Sequence, residues 1–305
     1  MTTAQSYAGS TGGPIVLRML LGAQLRRLRE HKGLSREDAG WEIRASESKI
    51  SRMELGRVGF KERDVADLLT LYGVQDEQER AALLSLARQA NSTGWWHRYN
   101  DVLPGWFQAY IGLEAAASVI RTYELQFVPG LLQTPAYARA VVLLRHARAP
   151  EAEVERRVDL RLARQRVLTR PGPPRLWAVM DESVLRRMIG GPQVLRSQIE
   201  ALIEATRLPN IRLQVIRFQS GGHSAAGGPF TILRFPDQDL SDVVYIEQLN
   251  SALYLEKRDD VMEYAVAMDQ LSVGADPPGR TPEILSQILL EIDSSPASPP
   301  VEPEW

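Results

Sequence analysis

The chain has no cysteine among its 305 residues. That excludes a disulfide framework, a thiolate zinc site, an iron–sulfur cluster and a cysteine nucleophile, and it fits a reducing cytoplasm. Only four histidines are present, His31, His97, His146 and His223. They are scattered and lack the His-Glu-x-x-His type of spacing that builds a catalytic metal site. No window of about 18 residues is apolar and uncharged enough to span a bilayer, and residues 1–16 lack the basic start and apolar core of an export signal. An excess of one charge is missing too: 36 Lys and Arg stand against 38 Asp and Glu, a net charge of −2. Such a chain does not coat nucleic acid by bulk charge, so any nucleic-acid surface has to be local.

What is present is enough apolar material, 44% of residues, for two hydrophobic cores. Charge is distributed unevenly along the chain. Residues 17–63 hold 12 basic and 7 acidic side chains, while residues 64–305 hold 24 basic and 31 acidic. A basic block is therefore concealed by an acidic remainder. The small polar residues 1–13 and the Pro- and Ser-rich residues 293–305 read as disordered ends.

Apolar periodicity makes the first ninety residues helical. Leu17, Leu20, Leu21, Leu25 and Leu28 share one helix face, which ends near Lys32 and Gly33. Ser35 and Ser46 are placed to cap two short helices that bury Ala39, Gly40 and Ile43, and then Ile50 and Met53. Val65, Leu68, Leu69 and Tyr72 mark a fourth helix closed by Gly73. Asp76 and Glu79 open a fifth as a capping box. These residues, 14–91, are expected to form a five-helix all-α domain.

The second and third helices, 36–43 and 47–54, are separated by about three residues, which forces a steep crossing and leaves the outer face of the later helix open. A helix of about nine residues is roughly 13 Å long, short enough for a major groove about 12 Å wide. With Ile50 and Met53 turned inward, Glu47, Ser48, Lys49 and Arg52 point outward. The Arg52 guanidinium matches the O6 and N7 acceptors of guanine, whereas Lys49, Arg26, Arg27 and Arg29 would add attraction indifferent to sequence. Trp41 lies off the apolar stripe and reads as a cover for one edge of the first helix.

The segment from Leu34-Ser35, through Gly40, to Ile50-Ser51-Arg52-Met53-Glu54-Leu55-Gly56-Arg57 resembles the helix-turn-helix of lambda-repressor-like (XRE-family) transcription regulators. The resemblance implies double-stranded DNA as partner, with Glu47, Ser48 and Arg52 reading bases and Arg36 and Lys49 touching phosphates; Arg57 and Arg26 are further phosphate candidates. It also implies that Glu54 serves internal hydrogen bonding. Two positions depart from the pattern: Arg36 replaces a frequent Gln, and Arg44 stands in the turn where Gly is usual.

Residues 95–292 have a different texture. Helices are expected at 107–124, 135–147, 152–169, 192–207, 259–272 and 282–292. Strands are expected at 175–180, 211–218, 230–235, 243–247 and 252–255, which makes this domain, and the chain overall, α+β. The blocks Ile120-Arg121-Thr122-Tyr123-Glu124, Val128-Pro129-Gly130-Leu131-Leu132-Gln133-Thr134, Gly228-Pro229-Phe230-Thr231 and Val243-Val244-Tyr245-Ile246-Glu247, among others, look like an uncharacterised effector domain fused to XRE-type helix-turn-helix domains in actinobacterial regulators and described as antitoxin-like. This implies a small protein partner encoded nearby.

No residue constellation supports an enzyme, and no cofactor is expected. Gly221-Gly222-His223-Ser224 lacks the context of a nucleophile elbow, and the loop 220–228 lacks the Lys of a phosphate cradle. That loop reads as a hairpin connection, with His223 a candidate contact for a ligand or partner. Trp95, Trp96, Trp106 and Phe107 read as packing, and the Glu- then Arg-rich run 151–170 as a solvated helix. The expectation is a cytoplasmic, homodimeric DNA-binding regulator whose second domain responds to a protein partner or small ligand. The alternative is an antitoxin-like protein that sequesters a small partner and regulates its own operon.

Overall fold

The periodic apolar stripe of the first ninety residues becomes five helices in the computed structural model, which describes residues 13–225, 227–237 and 240–294. They are α1 (Pro14–His31), α2 (Arg36–Glu42), α3 (Glu47–Glu54), α4 (Glu62–Leu71) and α5 (Glu77–Ala90). Their starts follow local chemistry. Pro14 opens α1 where a missing N–H costs nothing, the Ser35 hydroxyl accepts from the Asp38 N–H in a reciprocal capping box, and Asp76 accepts from the N–H groups of Gln78 and Glu79. The expected disordered ends lie outside the described residues, apart from Gly13 and the last turn of the final helix.

The chain divides into two compact units, one built mainly from residues up to Ala117 and one from Ser118 onward. In the first, Leu20, Leu21, Leu25, Ile50, Met53, Leu68, Leu69, Leu86 and Ala87 form a buried helical core. Residues 95–117, grouped by sequence with the larger domain, pack with this helical unit instead. They include α6 (Gly105–Ala116), and buried Trp96 lies against Gly13, Gly94 and Gly112. Trp96 meets Trp95 edge-on at 6.1 Å, and Phe107 stacks on Tyr110 at 5.3 Å.

The second unit is built on a six-stranded mixed sheet. Its strands are β1 (Val119–Glu124), β2 (Arg175–Asp181), β3 (Ile211–Ile216), β4 (Phe230–Arg234), β5 (Val243–Glu247) and β6 (Ala252–Leu255), in the order β3-β2-β1-β4-β5-β6. β1 runs parallel to β2, and β2 parallel to β3; β4, β5 and β6 follow as an antiparallel run. Helices α7 (Pro135–Arg145), α8 (Glu151–Gln165), α9 (Glu182–Arg186), α10 (Pro192–Ala205), α11 (Arg258–Gly274) and α12 (Thr281–Ser294) complete the α+β architecture.

Two expectations are corrected. The helix expected over 107–124 stops at Ala116, and its second half is β1, the strand on which both halves of the sheet pair. Val119, Ile120 and Thr122 are β-branched and Tyr123 is aromatic, so burial between two neighbours outweighs the helix signal carried over from the alanines before it. The loop 217–229 is no hairpin, because β2 and β1 lie between β3 and β4. Among the described residues no helix is long and apolar enough to cross a membrane.

The faces of the sheet differ. On one, Tyr123, Val179, Phe230, Ile232, Val244 and Ile246 pack against Met268 and Leu271 of α11. On the other, the register aligns Thr122 with Thr231 and Thr231 with Tyr245, and Glu124 and Glu247 follow two residues on. Arg161 and Arg164 of α8, read from sequence as part of a solvated face, lie close to this polar row; Arg164 is buried and Arg161 partly so.

Burial pushes the Glu124 carboxyl up to about 8, with the charge of Glu247 adding to the effect. The unfolded chain therefore loses this proton first, and stability falls as pH rises through the interval from about 4.5 to about 8. Glu124→Gln abolishes that loss. Its melting temperature is expected to gain on the wild type between about pH 5 and about pH 8, and a difference that stays constant over the range would refute the assignment.

Candidate nucleic-acid interface

The sharp crossing of α2 and α3 depends on what is small and what is bent. The Ala45 N–H donates to the Gly40 carbonyl at 2.8 Å, and a Cβ on Gly40 would stand 2.7 Å from the Ala45 carbonyl oxygen. Gly22 of α1 is equally constrained, since a Cβ there would meet the Met53 carbonyl oxygen at 2.5 Å. Arg44 holds the turn with φ of +54°, the left-handed conformation that glycine adopts freely. The departure from glycine leaves the turn intact and strains it.

Beneath α3 lies a buried ionic cluster. Arg29 Nε and Nη2 donate to the two Glu54 carboxylate oxygens at 2.5 and 3.1 Å, Arg29 Nη1 donates to the Leu34 carbonyl at 2.7 Å, and Arg36 Nε donates to Glu54 Oε2 at 3.0 Å. The Arg29 and Glu54 side chains are only 8% and 2% exposed. Hydrogen bonding to Glu54 raises the Arg29 pKa above its ordinary value, against the opposing effect of burial. The neighbouring Tyr72 hydroxyl is buried without a hydrogen-bond partner among the described residues, and burial raises its pKa. One carboxylate thus ties α1 and α2 to the end of α3, in the internal role expected of Glu54.

The opposite face of α3 is open. Ile50 and Met53 are buried, whereas Glu47, Ser48 and Arg52 are exposed. Together with Arg36 and Ser51 they line an open depression of about 470 Å³. Among the described residues no hydrogen bond or ion pair engages the Arg52 guanidinium, so its whole fork of donors is available to an acceptor outside the protein.

The expected phosphate contacts are placed differently from one another. Lys49 Nζ is held by Asp64 of α4 at 2.6 Å, Arg36 by Glu54, and Arg26 by Glu30 at 2.8 Å on an exposed helix face, while Arg57 is exposed just beyond α3. Arg29, grouped by sequence with the outward arginines, belongs to the core; its position one turn after Leu25 and two after Leu21 is the signal that marked it. Ser51 was not singled out, although it lies three residues after Ser48 on the same turn of face. Trp41 is 83% exposed and covers nothing on α1.

His223 lies in the second unit. Its Nδ1 accepts from the Ala225 N–H at 3.3 Å, and its Nε2 meets the Tyr123 hydroxyl at 2.8 Å, so it anchors the crossover loop to β1. Among the described residues no group of His, Asp and Glu is placed to hold a metal ion.

A capped helix pair with a steep turn, an inward apolar edge and an outward polar edge is a helix-turn-helix DNA-binding module, and residues 20–83 match a family described as a helix-turn-helix domain. Residues 107–287, more than half of the chain, match the family described as a domain of unknown function (DUF5753), and the chain belongs to that family. No curated protein and no solved structure matches the chain.

Glu54→Ala leaves Arg29 buried without its counter-charge and is expected to destabilise the helical unit by about 3–5 kcal/mol in denaturant unfolding, while replacing Arg29 and Glu54 together by apolar residues costs less than the single change. Arg44→Gly is expected to raise stability by up to about 1 kcal/mol, because relief of the left-handed strain outweighs the added freedom of the unfolded chain. A lowered melting temperature for Arg44→Gly would contradict that account of the turn.

Proposed function

We propose that the chain is a sequence-specific transcription regulator of the cytoplasm that docks α3 in the major groove, with Arg52 reading guanine and Glu47 and Ser48 reading neighbouring base edges. The observation that carries this reading is the unengaged Arg52 guanidinium on a helix whose inner edge is fixed by the Glu54 cluster. A rigid helix with a free fork of donors loses little conformational freedom on meeting the O6 and N7 atoms of guanine, and such a pair contributes roughly 1–3 kcal/mol of discrimination. Arg57, Arg26 and the α3 cation Lys49 contribute attraction to phosphates. The bound form is a homodimer on half-sites about 34 Å apart, and the second unit supplies the response to a small ligand or a protein partner.

The test uses a duplex selected from a random pool, compared with unselected duplex across a salt series. Arg52→Ala should erase the preference between the two, about 10- to 100-fold, and leave salt-sensitive binding in place. Lys49→Ala should weaken both duplexes alike and flatten the salt slope by no more than about one unit, since Asp64 already balances part of its charge. Equal losses on both duplexes for Arg52→Ala would falsify the assigned roles.

A further inference from the structure

The polar row on the second unit's sheet has a position, a charge pattern and an unmet need that the DNA-binding reading does not use. The strand order grows in one direction from β1 through β2 to β3 and in the other from β4 to β6, so the direction reverses between β1 and β4. In mostly parallel open sheets ligands bind beyond the carboxyl ends of the strands at such a reversal, and β1, β2 and β3 form the parallel part here. Glu124 ends β1 there, and Glu247 ends β5, which points the same way because β4 is antiparallel to both. Four segments singled out in the sequence meet at this place: 120–124, 128–134, 228–231 and 243–247.

Arg161 and the carboxylates of Glu124 and Glu247 are close but do not pair among the described residues. Among the described residues the only hydrogen bond of Arg161 goes to neutral Gln133 Oε1 at 2.8 Å, Glu124 accepts only from the Thr122 hydroxyl at 3.3 Å, and Glu247 accepts only from the Tyr245 hydroxyl at 2.9 Å. Among the described residues no carboxylate forms an ion pair with Arg161, although Glu124 and Glu247 are near enough to attract it and Arg164 near enough to repel it. The same unit pairs its other enclosed charges: Glu182 holds Arg186 at 2.6 Å and Arg217 at 2.9 Å. Partly burying a guanidinium without a counter-charge is costly, so an anion from outside would offset a cost that Arg161 carries unmatched.

We propose that Arg161, with Arg164 beside it and the hydroxyls of Thr122 and Thr231 below, binds the carboxylate or phosphate group of a small anionic metabolite, and that this anion is the signal to which the regulator responds. The first half stands on the geometry of the second unit alone, and the second half rests on the DNA-binding function proposed above. The donor that faces an anion is the guanidinium fork of Arg161, while the Thr122 and Thr231 hydroxyls, hydrogen-bonded to each other at 2.9 Å, supply a polar floor. A cation is disfavoured by the unmatched Arg161 guanidinium. Burial pushes Glu124 up to about 8, so near neutral pH it is largely protonated and adds a further donor instead of a repelling charge. Exposure grades from buried Thr122, Thr231 and Gln133 to exposed Glu247, which places the opening at the β5 end and admits a small molecule in preference to a macromolecular surface.

Calorimetry on the full chain, in a buffer free of other oxyanions, tests this with inorganic phosphate and with succinate as probes. Saturable binding of either is expected, and which one binds separates a phosphate from a carboxylate ligand. Arg161→Gln should weaken that binding at least about tenfold, and Glu247→Gln, an exposed change that keeps an acceptor for Tyr245 and removes a repelling charge, should tighten it a few-fold. Opposite signs from two variants guard against a loss due to misfolding. No binding of either probe to the wild type, or unchanged binding in Arg161→Gln, overturns the site. Saturating anion should also change the affinity for selected duplex at least threefold in the wild type and not in Arg161→Gln; an unchanged affinity overturns the signalling role. Anion binding without any duplex binding would refute the DNA-binding function and leave the site standing.

Discussion

One carboxylate organises the DNA-binding half of this protein. Glu54 is almost wholly enclosed, and it is tolerable there only because Arg29 from α1 grips both of its oxygens and Arg36 from α2 adds a third bond. Charges buried as a hydrogen-bonded group resist small displacements, because every tilt of a helix lengthens several charged bonds at once. The apolar stripe of Ile50 and Met53 would by itself let α3 roll or slide. The ionic cluster fixes its rotation about its own axis, and with it the direction in which Arg52 points. Gly22 and Gly40 let the backbones come close enough for these bonds to form.

Much of this was legible in the sequence because helical signals are local. Ser35, Ser46 and Asp76 cap the helices they were expected to cap, and the apolar stripe of α3 assigned Glu47, Ser48 and Arg52 to the outside correctly. The failures share a cause. Arg29, Arg161 and Arg164 look like surface charges in any window of a few residues, and only partners far along the chain reveal that they are enclosed. β1 was absorbed into the preceding helix for the same reason: its strand character comes from neighbours at residues 175–180 and 230–234. The crossover after β3 resembled a hairpin because strand order is a property of the whole sheet.

The two units handle buried charge in opposite ways. The helical unit closes its charges on themselves and presents a fixed surface. The sheet unit divides its labour between faces, with an apolar side sealed by α11 and a polar side where, among the described residues, Arg161 stands near Glu124 and Glu247 without joining either. A closed cluster holds its helices rigidly, whereas an open one leaves Arg161 without a counter-charge among the described residues.

The placement of β1 also bears on how the molecule comes into being. Thr122 and its cross-strand neighbour Thr231 are 109 residues apart, whereas α1 and α5, which close the five-helix unit, meet over 72 residues, as where Arg18 Nε donates to the Ala90 carbonyl. Long separations delay closure, and ribosomes deliver the amino end first. The helix-turn-helix unit is therefore assembled while the central strand of the sheet still waits for its antiparallel mate, and a nascent chain interrupted before residue 230 would carry finished helices α1 to α5 and an unclosed sheet.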